Sequence, residues 1–362
     1  GKRLGFGSVK EPFLVSIRSG AVLKMPGILK TVLNVGINDE IVFALAETTG
    51  SSRFAYDTYA RFLSSFAQLV FRIDEFLYND ISEDYRREKG KMDLGADDLV
   101  EIVERIKKRI GDFGFSYELD EILKNTRKQL FLAINEVLAF WNSPQARQYR
   151  KEEGISDHWW TAATVQAMVF GNIKGGTSGS GVVYSRNLWT DERIMNGSLD
   201  WGVQGEDIVS GITVPRSIEE LSYIMPDVYQ ELNSGVRMLD NYFGCPLVIE
   251  FTITQRKLWW LQVGRAPSIE FSGPEFKERP HPLALGVGVS GRAFRGTVVF
   301  DPSRIEAMQE KVRESGADGV LLVMEYPIPV MISHIRKAGG ILSRKGGIGS
   351  HGAYIAIRSS IP

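Results

Sequence analysis

This chain of 362 residues lacks long apolar runs and an excess of either charge, and it contains a single cysteine. No run of about 18 apolar residues occurs, so the sequence predicts no membrane-spanning helix. The single cysteine, Cys245, cannot form a disulfide within the chain, which favours the cytoplasm as the compartment. With 43 Lys and Arg residues against 44 Asp and Glu residues, the formal net charge is −1. No general electrostatic field therefore attracts the chain to nucleic acid or to an anionic membrane.

What the chain does have is the composition of a folded protein with buried cores. Hydrophobic residues make up 43% of it and charged residues 24%. Because 362 residues exceed the usual size of one compact core, the sequence predicts several domains. The chain begins with Gly1 rather than methionine, and residues 356–362 resemble the start of a strand. We therefore expect a piece of a longer protein.

The first part of the chain predicts a small α/β piece followed by a helical subdomain. Residues 13–17 form an apolar run that predicts a short strand, which places Arg18 at a strand end, where ligands often bind. Between residues 53 and 141 the apolar residues recur every three or four positions, as in the series 99–110 and 122–138. This period is that of amphipathic helices, and its extent predicts at least three of them packed together.

The remainder predicts a β lobe, a linker and a compact C-terminal α/β unit. Apolar runs at 247–253 and 257–263 indicate a β-hairpin. Four prolines without a periodic pattern mark residues 266–282 as a linker. In the last unit, Ser303 and Glu306 have the spacing of a helix capping box. Its predicted strands are residues 297–300, 320–324 and 341–343.

A histidine lies in the glycine-rich segment 346–354, whose sequence is Gly-Gly-Ile-Gly-Ser-His-Gly-Ala-Tyr. Ser350 can act as the N-cap of a following helix, which puts His351 at the positive end of the helix dipole. That dipole disfavours the imidazolium form and favours an approaching phosphoryl group. His351 therefore either becomes phosphorylated or is an incidental histidine of a turn, and the local string favours neither interpretation over the other.

Two further segments have the residue types of a nucleotide site. Residues 175–181 have the sequence Gly-Gly-Thr-Ser-Gly-Ser-Gly, and the backbone N–H groups of such a loop can close over phosphate oxygens. On the predicted hairpin, Glu250 and Gln262 could share a Mg²⁺ ion with nucleotide phosphates, because hard cations take oxygen ligands. Each feature alone is weak evidence for a nucleotide site, because most glycine-rich hairpins bind no ligand and polar pairs on solvated strands are common.

Short strings occur in a fixed order along the chain, ahead of the His351 segment. They are Val-Ser-Ile-Arg-Ser-Gly-Ala at 15–21, Met-Pro-Gly at 25–27, Thr-Val-Leu-Asn at 31–34, Phe-Ala-Tyr-Asp-Thr-Tyr at 54–59, Trp-Asn-Ser-Pro at 141–144, Val-Gln-Ala-Met-Val-Phe-Gly-Asn at 165–172, Ser-Gly-Ser-Gly-Val at 178–182, Ser-Arg-Asn at 185–187, Gln-Gly-Glu-Asp at 204–207 and Glu-Phe-Thr-Ile at 250–253. Together these strings resemble the pyruvate phosphate dikinase family. The resemblance covers nearly the whole chain and weakens between residues 263 and 288.

The resemblance implies an α/β and α+β multidomain protein. Residues 1–50 and 159–265 would belong to an ATP-grasp nucleotide domain, with a helical subdomain, 51–158, inserted between them. Residues 266–283 would form a linker, and residues 284–362 an incomplete swivelling phosphohistidine domain of β/β/α type. The family's glycine-rich, lysine-bearing N-terminal segment and its pyruvate-binding barrel lie outside these residues, so the resemblance implies truncation at both ends.

The resemblance also implies a phosphotransferase. In this family, ATP and phosphate give AMP, pyrophosphate and a phosphorylated histidine, whose phosphoryl group converts pyruvate to phosphoenolpyruvate on the barrel domain. This chain would perform the partial reaction in the cytoplasm, with ATP as substrate, Mg²⁺ as cofactor and no membrane or nucleic-acid partner. Pyruvate and phosphoenolpyruvate would require the missing domain or a partner, and a homodimer could form through the missing C-terminal part.

The family's functional residues correspond to matching positions in this chain. His351 would be the phosphoryl carrier, and Arg18 and Arg61 would bind the transferring phosphates. Glu250 and Gln262 would ligate Mg²⁺. The residues implied for ATP binding are Gln166 and Met168 at the adenine, Thr177, Ser178, Gly179, Ser180 and Gly181 over the phosphates, Glu206 at the ribose, and Glu250 and Gln262 at the metal.

Two departures from the family pattern leave other functions open. Val248 stands where the family has an aspartate two residues before the metal-binding glutamate, which removes one carboxylate. Gly264 stands where the family has the arginine of a Gln-x-Arg string, and Arg265 could substitute only if the strand bulges. The alternatives are a phosphotransferase subunit that serves another acceptor and a degenerate, non-catalytic nucleotide-binding protein.

Overall fold

The computed structural model describes residues 5–21, 25, 28–73, 77–267, 284, 286–289, 293–326 and 332–362. The chain divides into two compact units, Gly1–Met168 and Val169–Pro362. Both units combine helices with β-sheets, so the predicted mixture of helix and sheet in a multidomain chain is confirmed. Within the described ranges, no helix is both long enough and apolar enough to cross a membrane.

The first unit contains an antiparallel sheet. Its strands are β1 (Val15–Ala21), β2 (Thr31–Val35) and β3 (Thr161–Ala167), in the order β2-β1-β3. The prediction that Arg18 lies at a strand end is wrong, because β1 continues past it to Ala21. Arg18 pairs with Thr31 on one side and with Thr164 on the other. The glycine at position 20 does not end the strand, since Gly20 still pairs with Ala162 on β3.

The segment between β2 and β3 is helical, as the period of its apolar residues predicts. Its helices are α1 (Ile41–Thr49), α2 (Ser52–Val70), α3 (Leu77–Lys89), α4 (Ala96–Asp112), α5 (Ser116–Leu123), α6 (Thr126–Ala139) and α7 (Pro144–Glu152). α2 begins after its N-cap Ser51, whose hydroxyl accepts a hydrogen bond from Phe54 N, and it packs against β2 and α4. The apolar residues of α4 that recur at helical spacing are all buried, which confirms the predicted period: Leu99, Ile102, Val103, Ile106 and Ile110.

α6 differs from the prediction in the face that it buries. Leu138 is exposed although it belongs to the apolar series, whereas Gln129 is fully buried. The Gln129 amide donates to Ile37 O at 3.1 Å and accepts from Gly36 N at 3.0 Å. These two hydrogen bonds satisfy backbone groups just beyond β2, which explains why a polar side chain faces inward.

The second unit contains a larger antiparallel sheet and a smaller parallel one. The strands are β4 (Gly179–Tyr184), β5 (Asn196–Trp201), β6 (Arg216–Ser217), β7 (Leu247–Thr254), β8 (Lys257–Arg265), β9 (Gly296–Val299), β10 (Gly319–Met324) and β11 (Gly340–Ser343). The larger sheet has the order β6-β5-β4-β7-β8 and the smaller has the order β11-β10-β9. The predicted hairpin is confirmed, since β7 pairs with β8 and the chain turns at Gln255 and Arg256, which both have positive φ angles.

The helices of the second unit flank these sheets. They are α8 (Gly205–Val209), α9 (Glu220–Ile224), α10 (Pro226–Phe243), α11 (Ile305–Ser315), α12 (Ile332–Lys337) and α13 (His351–Arg358). α10 has no counterpart among the predicted elements. Its signals are nonetheless present in the sequence, because Val228, Leu232 and Val236 recur at intervals of four and Pro226 suits a first turn.

The N-terminus of α11 differs from the predicted capping box. The N-cap residue of α11 is Arg304, which makes no side-chain capping hydrogen bond, and Asp301 instead caps the preceding 3₁₀ turn: its Oδ1 accepts from Ser303 N at 3.0 Å. Glu306 forms an ion pair with Lys337 of α12 at 2.5 Å. The predicted pairing of Ser303 with Glu306 is therefore wrong, because a short 3₁₀ turn, Pro302–Arg304, precedes α11 and shifts its start to Ile305.

Alternation along the strands gives the larger sheet two different faces. One face, which includes Val183, Leu199 and Ile249, packs against α9 and α10. The opposite face is called the Glu250 face below. It is formed by Ser180, Val182, Tyr184, Val248, Glu250 and Gln262.

Candidate functional site

In the first unit, Arg18 and Gln166 make a direct contact between neighbouring strands. Gln166 on β3 pairs with the residue two positions before Arg18 on β1, and the Arg18 guanidinium donates to Gln166 Oε1 at 2.5 Å. Diagonal pairs of this kind lie within reach of long side chains. Met168 follows directly after β3, where its N–H donates to Leu14 O at 3.0 Å. The structure thus joins two predicted site residues and places a third at the end of the same strand.

Arg61 is oriented on α2 by Asp57 and Tyr78. Arg61 Nε donates to Asp57 Oδ2 at 3.0 Å, and its guanidinium lies 5.1 Å from the centroid of the Tyr78 ring. The Tyr78 hydroxyl donates to Asp57 Oδ1. Asp57 is buried while Arg61 is 19% exposed, so a buried carboxylate orients a cation that solvent still reaches. The sequence analysis missed both partners, although the interval of four residues between Asp57 and Arg61 is a signal for such a pair.

Only the beginning of the glycine-rich segment 175–181 is exposed to solvent, whereas the sequence predicts an exposed loop over all of it. Lys174, Gly175 and Gly176 are exposed, and the two glycines have φ angles of 125° and 72°. Ser178 and Ser180 are instead fully buried. Ser178 Oγ accepts from the backbone N–H of residue 255 at 2.8 Å, and Ser180 Oγ bonds the hydroxyl of residue 252 at 3.0 Å. These two hydroxyls therefore join strands and turns within the sheet.

Gly179 and Gly181 belong to β4 rather than to a loop. A Cβ atom at Gly181 would lie 2.3 Å from the ring of Phe251 on β7, so the close approach of that ring requires glycine. Thr177, which precedes this strand, is half-buried and its carbonyl accepts from Arg256 N at 2.9 Å. The exposed backbone that could approach a phosphate thus lies before residue 178.

Glu206 and Asp207 occupy different environments in the first turn of α8. Asp207 is buried, and its Oδ2 accepts from Gln204 N at 3.1 Å as part of a capping box. Glu206 is exposed. Of the two neighbouring acids, Glu206 is therefore the one whose carboxylate a ligand in solvent could reach.

Glu250 and Gln262 are direct cross-strand neighbours on β7 and β8. The Cβ atoms of such pairs lie about 5 Å apart on the same face of a sheet. Mg²⁺ in proteins commonly binds one or two carboxylates together with substrate phosphates and water. One carboxylate and one amide oxygen fit this arrangement. Among the described residues, no group of three or more His, Cys, Asp or Glu side chains could bind a metal ion alone.

The two departures from the family pattern have definite places in the second unit. Val248 lies on the Glu250 face, is only 7% exposed and belongs to an apolar cluster with Val182 and Tyr184. β8 is regular from Gln262 to Arg265, because the register shift lies before Gln262. Arg265 is therefore on the opposite face of the sheet from Gln262 and cannot substitute for an arginine at position 264.

The segment that precedes His351 lies on the Glu250 face. A Cβ atom on Gly349 would be 2.7 Å from Val182 Cβ, which shows how closely the two backbones approach. Tyr184 donates its hydroxyl to Ile348 O at 3.0 Å. Burial, with a smaller contribution from the hydroxyl of residue 354, raises the pKa of Tyr184, so its hydroxyl stays a donor at neutral pH.

Strand register relates this contact to the predicted metal ligands. Val182 on β4 pairs with Glu250 on β7, and Glu250 pairs with Gln262 on β8. The three residues form a row across the sheet, and Gly349 covers its first member. Ile357 of α13 joins the apolar cluster on the same face, so the helix that begins at His351 lies on that side of the sheet.

His351 is the first residue of α13, as the sequence predicts. Ser350 is the N-cap and its Oγ accepts from Ala353 N at 3.2 Å, which confirms the predicted cap. His351 itself is half-buried. The positive end of the helix dipole favours an anionic group at this position.

Comparisons with known proteins find a matching family and several relatives of this chain. A family model described as pyruvate phosphate dikinase, AMP/ATP-binding domain, matches residues 3–221. The chain is 34% identical to the chloroplastic pyruvate, phosphate dikinase of Flaveria pringlei, over 97% of this chain and 40% of that protein. It is also 34% identical to the pyruvate, phosphate dikinase of Clostridium symbiosum, over 97% of this chain and 44% of that protein.

A third relative is pyruvate, phosphate dikinase 2 of Zea mays, with 33% identity over 97% of this chain and 43% of that protein. The chain therefore spans less than half the length of these relatives. Since the family model covers more than half of the chain and the identity extends over nearly all of it, the chain belongs to the pyruvate phosphate dikinase family, and residues 3–221 match the AMP/ATP-binding domain of that family.

Proposed function

We propose that this chain binds ATP and catalyses the phosphorylation of its own His351. The observation that supports the proposal most directly is the position of the His351 segment on the Glu250 face, beside the row of Val182, Glu250 and Gln262. Phosphates bound at that row would lie on the same side of the sheet as the histidine. Membership of a family with an AMP/ATP-binding domain makes ATP the first nucleotide to test.

The domain organisation forms part of the proposal. Residues 1–50 and 159–265 would form an ATP-grasp domain, with residues 51–158 as its helical insertion. Residues 284–362 would form the swivelling phosphohistidine domain, which the parallel sheet and α13 support. The linker would be residues 266–283, of which 268–283 lie outside the described residues. Pro26 and Gly27 of the Met-Pro-Gly string also lie outside them.

Each unit contains residues whose chemistry suits a nucleotide. In the first unit, the planar guanidinium groups of Arg18 and Arg61 match phosphate oxygens, while Gln166 and Met168 offer a polar and an apolar group to adenine. In the second unit, the exposed backbone of 174–176 suits phosphates, and half-buried Thr177 follows it. Glu206 could accept hydrogen bonds from ribose hydroxyls.

Mg²⁺ is the proposed cofactor, and Glu250 and Gln262 are the residues that would ligate it. When bound, the ion supplies neutralisation of phosphate charge, on which phosphoryl transfer depends. The protein's own contribution is to orient the phosphates through these two side chains and to present an imidazole nitrogen of His351. The apolar cluster around Val248 keeps water from one side of the site.

In the proposed reaction, an imidazole nitrogen of His351 forms a bond to the β-phosphorus of ATP, and the bond between the α- and β-phosphoryl groups breaks, which releases AMP. The bond between the β- and γ-phosphoryl groups then breaks as an oxygen of inorganic phosphate bonds to the γ-phosphorus, which releases pyrophosphate and leaves the β-phosphoryl group on His351. We further propose that pyruvate receives the phosphoryl group on a part of the parent protein, or on a partner, that these residues do not include. The cytoplasmic location and the homodimer remain predictions from the sequence.

Labelling with ATP tests the proposal. The full chain is incubated with Mg²⁺, phosphate and ATP labelled at the β-phosphorus, and the expected product is an acid-labile, base-stable label on His351. His351→Ala should abolish the label. His334→Ala is the matched control, because His334 lies in the same unit on α12 and should not affect it. Label of equal intensity on the His351→Ala chain would contradict the proposal.

A non-catalytic nucleotide-binding protein is the second candidate, and Val248 favours it. A valine in an apolar cluster replaces a metal-binding carboxylate, so phosphate binding could persist without transfer. Calorimetry with Mg·ATP distinguishes the candidates: binding without any label on His351 supports the second one. If label forms but never moves to pyruvate in the presence of the pyruvate-binding part of a relative, another acceptor is indicated.

A further inference from the structure

We propose that Asp57 is a positioning residue that orients Arg61 for contact with a phosphate oxyanion, either on ATP or as inorganic phosphate. The inference rests on the proposed function, in which the Arg61 guanidinium binds phosphate oxygens. It goes further by naming the residue on which the orientation of that guanidinium depends. All of the contacts that support it lie in the first unit.

Asp57 is the only carboxylate among the buried residues of α2, whose other buried side chains are mainly apolar. Both of its oxygens accept hydrogen bonds: Oδ2 accepts from Arg61 Nε at 3.0 Å, and Oδ1 accepts from the Tyr78 hydroxyl. Burying a carboxylate costs free energy that its ion pair often does not recover. Stability alone therefore gives little reason for an aspartate at this place, whereas the orientation of a cation does.

The contacts of Arg61 restrict how its guanidinium can turn. Asp57 occupies the Nε edge, and the Tyr78 ring centroid lies 5.1 Å from the guanidinium carbon, which is close enough for a cation–π contact. A guanidinium binds phosphate oxygens through a planar fork of nitrogens, so its direction determines whether the fork fits. The Arg61 side chain is partly exposed, and a dissolved anion can therefore reach it.

Hydrogen bonds to the backbone fix the position of the orienting carboxylate. Asn34 on β2 donates from Nδ2 to Thr58 O at 3.3 Å, which attaches α2 to the sheet at the residue directly after Asp57. On the other side, Tyr78 N donates to Ser64 Oγ at 3.1 Å, which attaches the first turn of α3 to α2. Asp57 thus has a defined place relative to the sheet and to both helices, as a group that orients another side chain requires.

Ligand affinity measures the orientation of Arg61 independently of its chemistry. Asp57→Asn keeps the size of the side chain but removes the charge and one acceptor oxygen. If Arg61 contacts ATP, the Kd for Mg·ATP measured by calorimetry should rise by about tenfold or more. If Arg61 contacts inorganic phosphate instead, the KM for phosphate in His351 labelling should rise by a similar factor. Both constants unchanged would overturn the inference.

A double-mutant cycle separates positioning from a general loss of structure. Arg61→Lys keeps the positive charge but lacks the Nε donor that Asp57 orients. Asp57→Asn alone should slow His351 labelling roughly 30-fold, the loss expected for a charged hydrogen bond. Added to Arg61→Lys, it should slow labelling by less than about twofold further, because its effect passes through Arg61. Effects that multiply would show that Asp57 acts independently of Arg61, and the inference would be wrong.

Asp98→Asn is the matched control for Asp57→Asn. Asp98 is also a buried aspartate of the first unit that accepts from a tyrosine hydroxyl, Tyr85, at 3.0 Å and from a cation, Lys91, at 2.6 Å. Its loss should lower the free energy of unfolding in urea comparably but leave the Kd for Mg·ATP, the KM for phosphate and the labelling rate unchanged. Equal losses of function in both variants would mean that fold damage explains them, which contradicts positioning by Asp57.

The failure of this inference and that of the proposed function give different results. A wild type that acquires label, together with an Asp57→Asn chain that matches it in both constants and in rate, overturns the inference alone. A wild type that binds Mg·ATP but acquires no label overturns the proposed phosphorylation. The Kd for Mg·ATP then decides the inference: weaker binding by Asp57→Asn than by Asp98→Asn supports it, and equal binding overturns it.

Discussion

Glu250 and Val248 lie two residues apart on β7, on the same face of the sheet, and have opposite chemistry. Glu250 is half-buried beside Gln262, whereas Val248 packs in the apolar cluster that receives Ile348. At the scale of single residues, the proposed metal ligands and the contact surface for the histidine segment are therefore neighbours on one strand. A substitution of Glu250 should mainly affect the proposed metal site, and a substitution of Val248 should mainly affect the contact with the histidine segment.

Glu250→Gln should separate charge from shape at the proposed metal site. The amide keeps the size of the side chain but removes the only carboxylate of the pair, so we expect the labelling rate of His351 to fall roughly 100-fold. The Mg²⁺ concentration for half-maximal rate should rise. Initial rates at several Mg²⁺ concentrations measure both effects.

Glu231→Gln is the control for Glu250→Gln, because Glu231 is an exposed glutamate of the same unit on α10. It should leave the rate within a factor of two or so, as surface substitutions of this kind usually do. Equal rates for Glu250→Gln and the wild type would remove Glu250 from the proposed mechanism.

At the scale of elements, the ends of helices and strands determine where the site residues lie. α13 begins at His351 because Ser350 caps it, and β4 ends at Tyr184, one residue before a buried cluster formed by Ser185, Arg186 and Asp240. That cluster joins the end of β4 to the last turn of α10. The Ser350 cap thus fixes the start of α13, and the Asp240 cluster fixes the end of β4. These are the helix and the strand that lie on either side of the close contact next to His351.

Removing the cap of α13 should affect both stability and labelling. Ser350→Ala deletes the hydroxyl that accepts from Ala353 N, and N-cap losses of this kind cost about 1 kcal/mol. Because His351 is the first residue of the helix, fraying of this turn should also slow labelling. Urea unfolding and labelling kinetics measure the two effects.

Ser143→Ala provides a matched comparison for the cap of α13. Ser143 caps α7 with the same geometry, since its Oγ accepts from Ala146 N at 3.1 Å. It should cost a similar free energy of unfolding and leave the labelling rate unchanged. A labelling rate that drops equally in both variants would mean that the effect of Ser350→Ala is only loss of stability.

Asp240 should give the protein a specific stability loss in acid. Burial would raise its pKa, but the hydrogen bonds from Arg186 and Ser185 and the charge of Arg186 outweigh burial and lower it. A carboxylate with a lowered pKa stabilises the fold above its unfolded value, near pH 4, and this stabilisation disappears as the pH falls through its folded pKa. Asp240→Asn should therefore be less stable than the wild type at pH 7 by about 2–4 kcal/mol.

The pH dependence distinguishes this contribution from packing. The difference in unfolding free energy between the wild type and Asp240→Asn should shrink as the pH falls below about 4, the ordinary pKa of an aspartate, and through the lower pKa of the folded carboxyl, where the wild-type side chain also becomes neutral. Urea unfolding at each pH measures it. A difference that stays constant over this range would show that the carboxylate charge is not its source.

At the scale of the whole molecule, both compact units contain residues proposed to contact the nucleotide. Arg18, Arg61 and Gln166 belong to the first unit, and Glu250 and Gln262 to the second. The relatives are more than twice as long as this chain, so the complete catalytic cycle is a property to test in the longer proteins.

Mg·ATP should stabilise the chain against heat. A ligand that binds only the folded state at 100 times its Kd contributes about 2.7 kcal/mol, which raises the melting temperature by several degrees. AMP, which lacks the phosphates that Mg²⁺ held by Glu250 and Gln262 would neutralise, should stabilise less at equal concentration. Differential scanning fluorimetry with the wild type and Glu250→Gln measures this, and equal shifts for both chains would argue against a Mg²⁺ ligand at Glu250.

Some of the site could be predicted because its signals are local. The cap at Ser350, the hairpin that pairs Glu250 with Gln262, and the helical period of α4 each depend on residues close together in the chain. Other features could not be predicted in this way. The burial of Ser178 and Ser180 depends on partners in the turn and strand more than 70 residues later.

The amino-acid sequence by itself determined the helical period of residues 53–141, the hairpin of β7 and β8, the cap of α13 and the family, because periodicity, caps and ordered motifs are properties of neighbouring residues. Only the tertiary structure decided that Gln129 faces inward, that Arg265 lies opposite Gln262, and that Gly349 rests on Val182. The reason is physical. Burial, face and close approach are fixed by contacts between segments far apart in the chain, and no local pattern specifies the distance between their atoms.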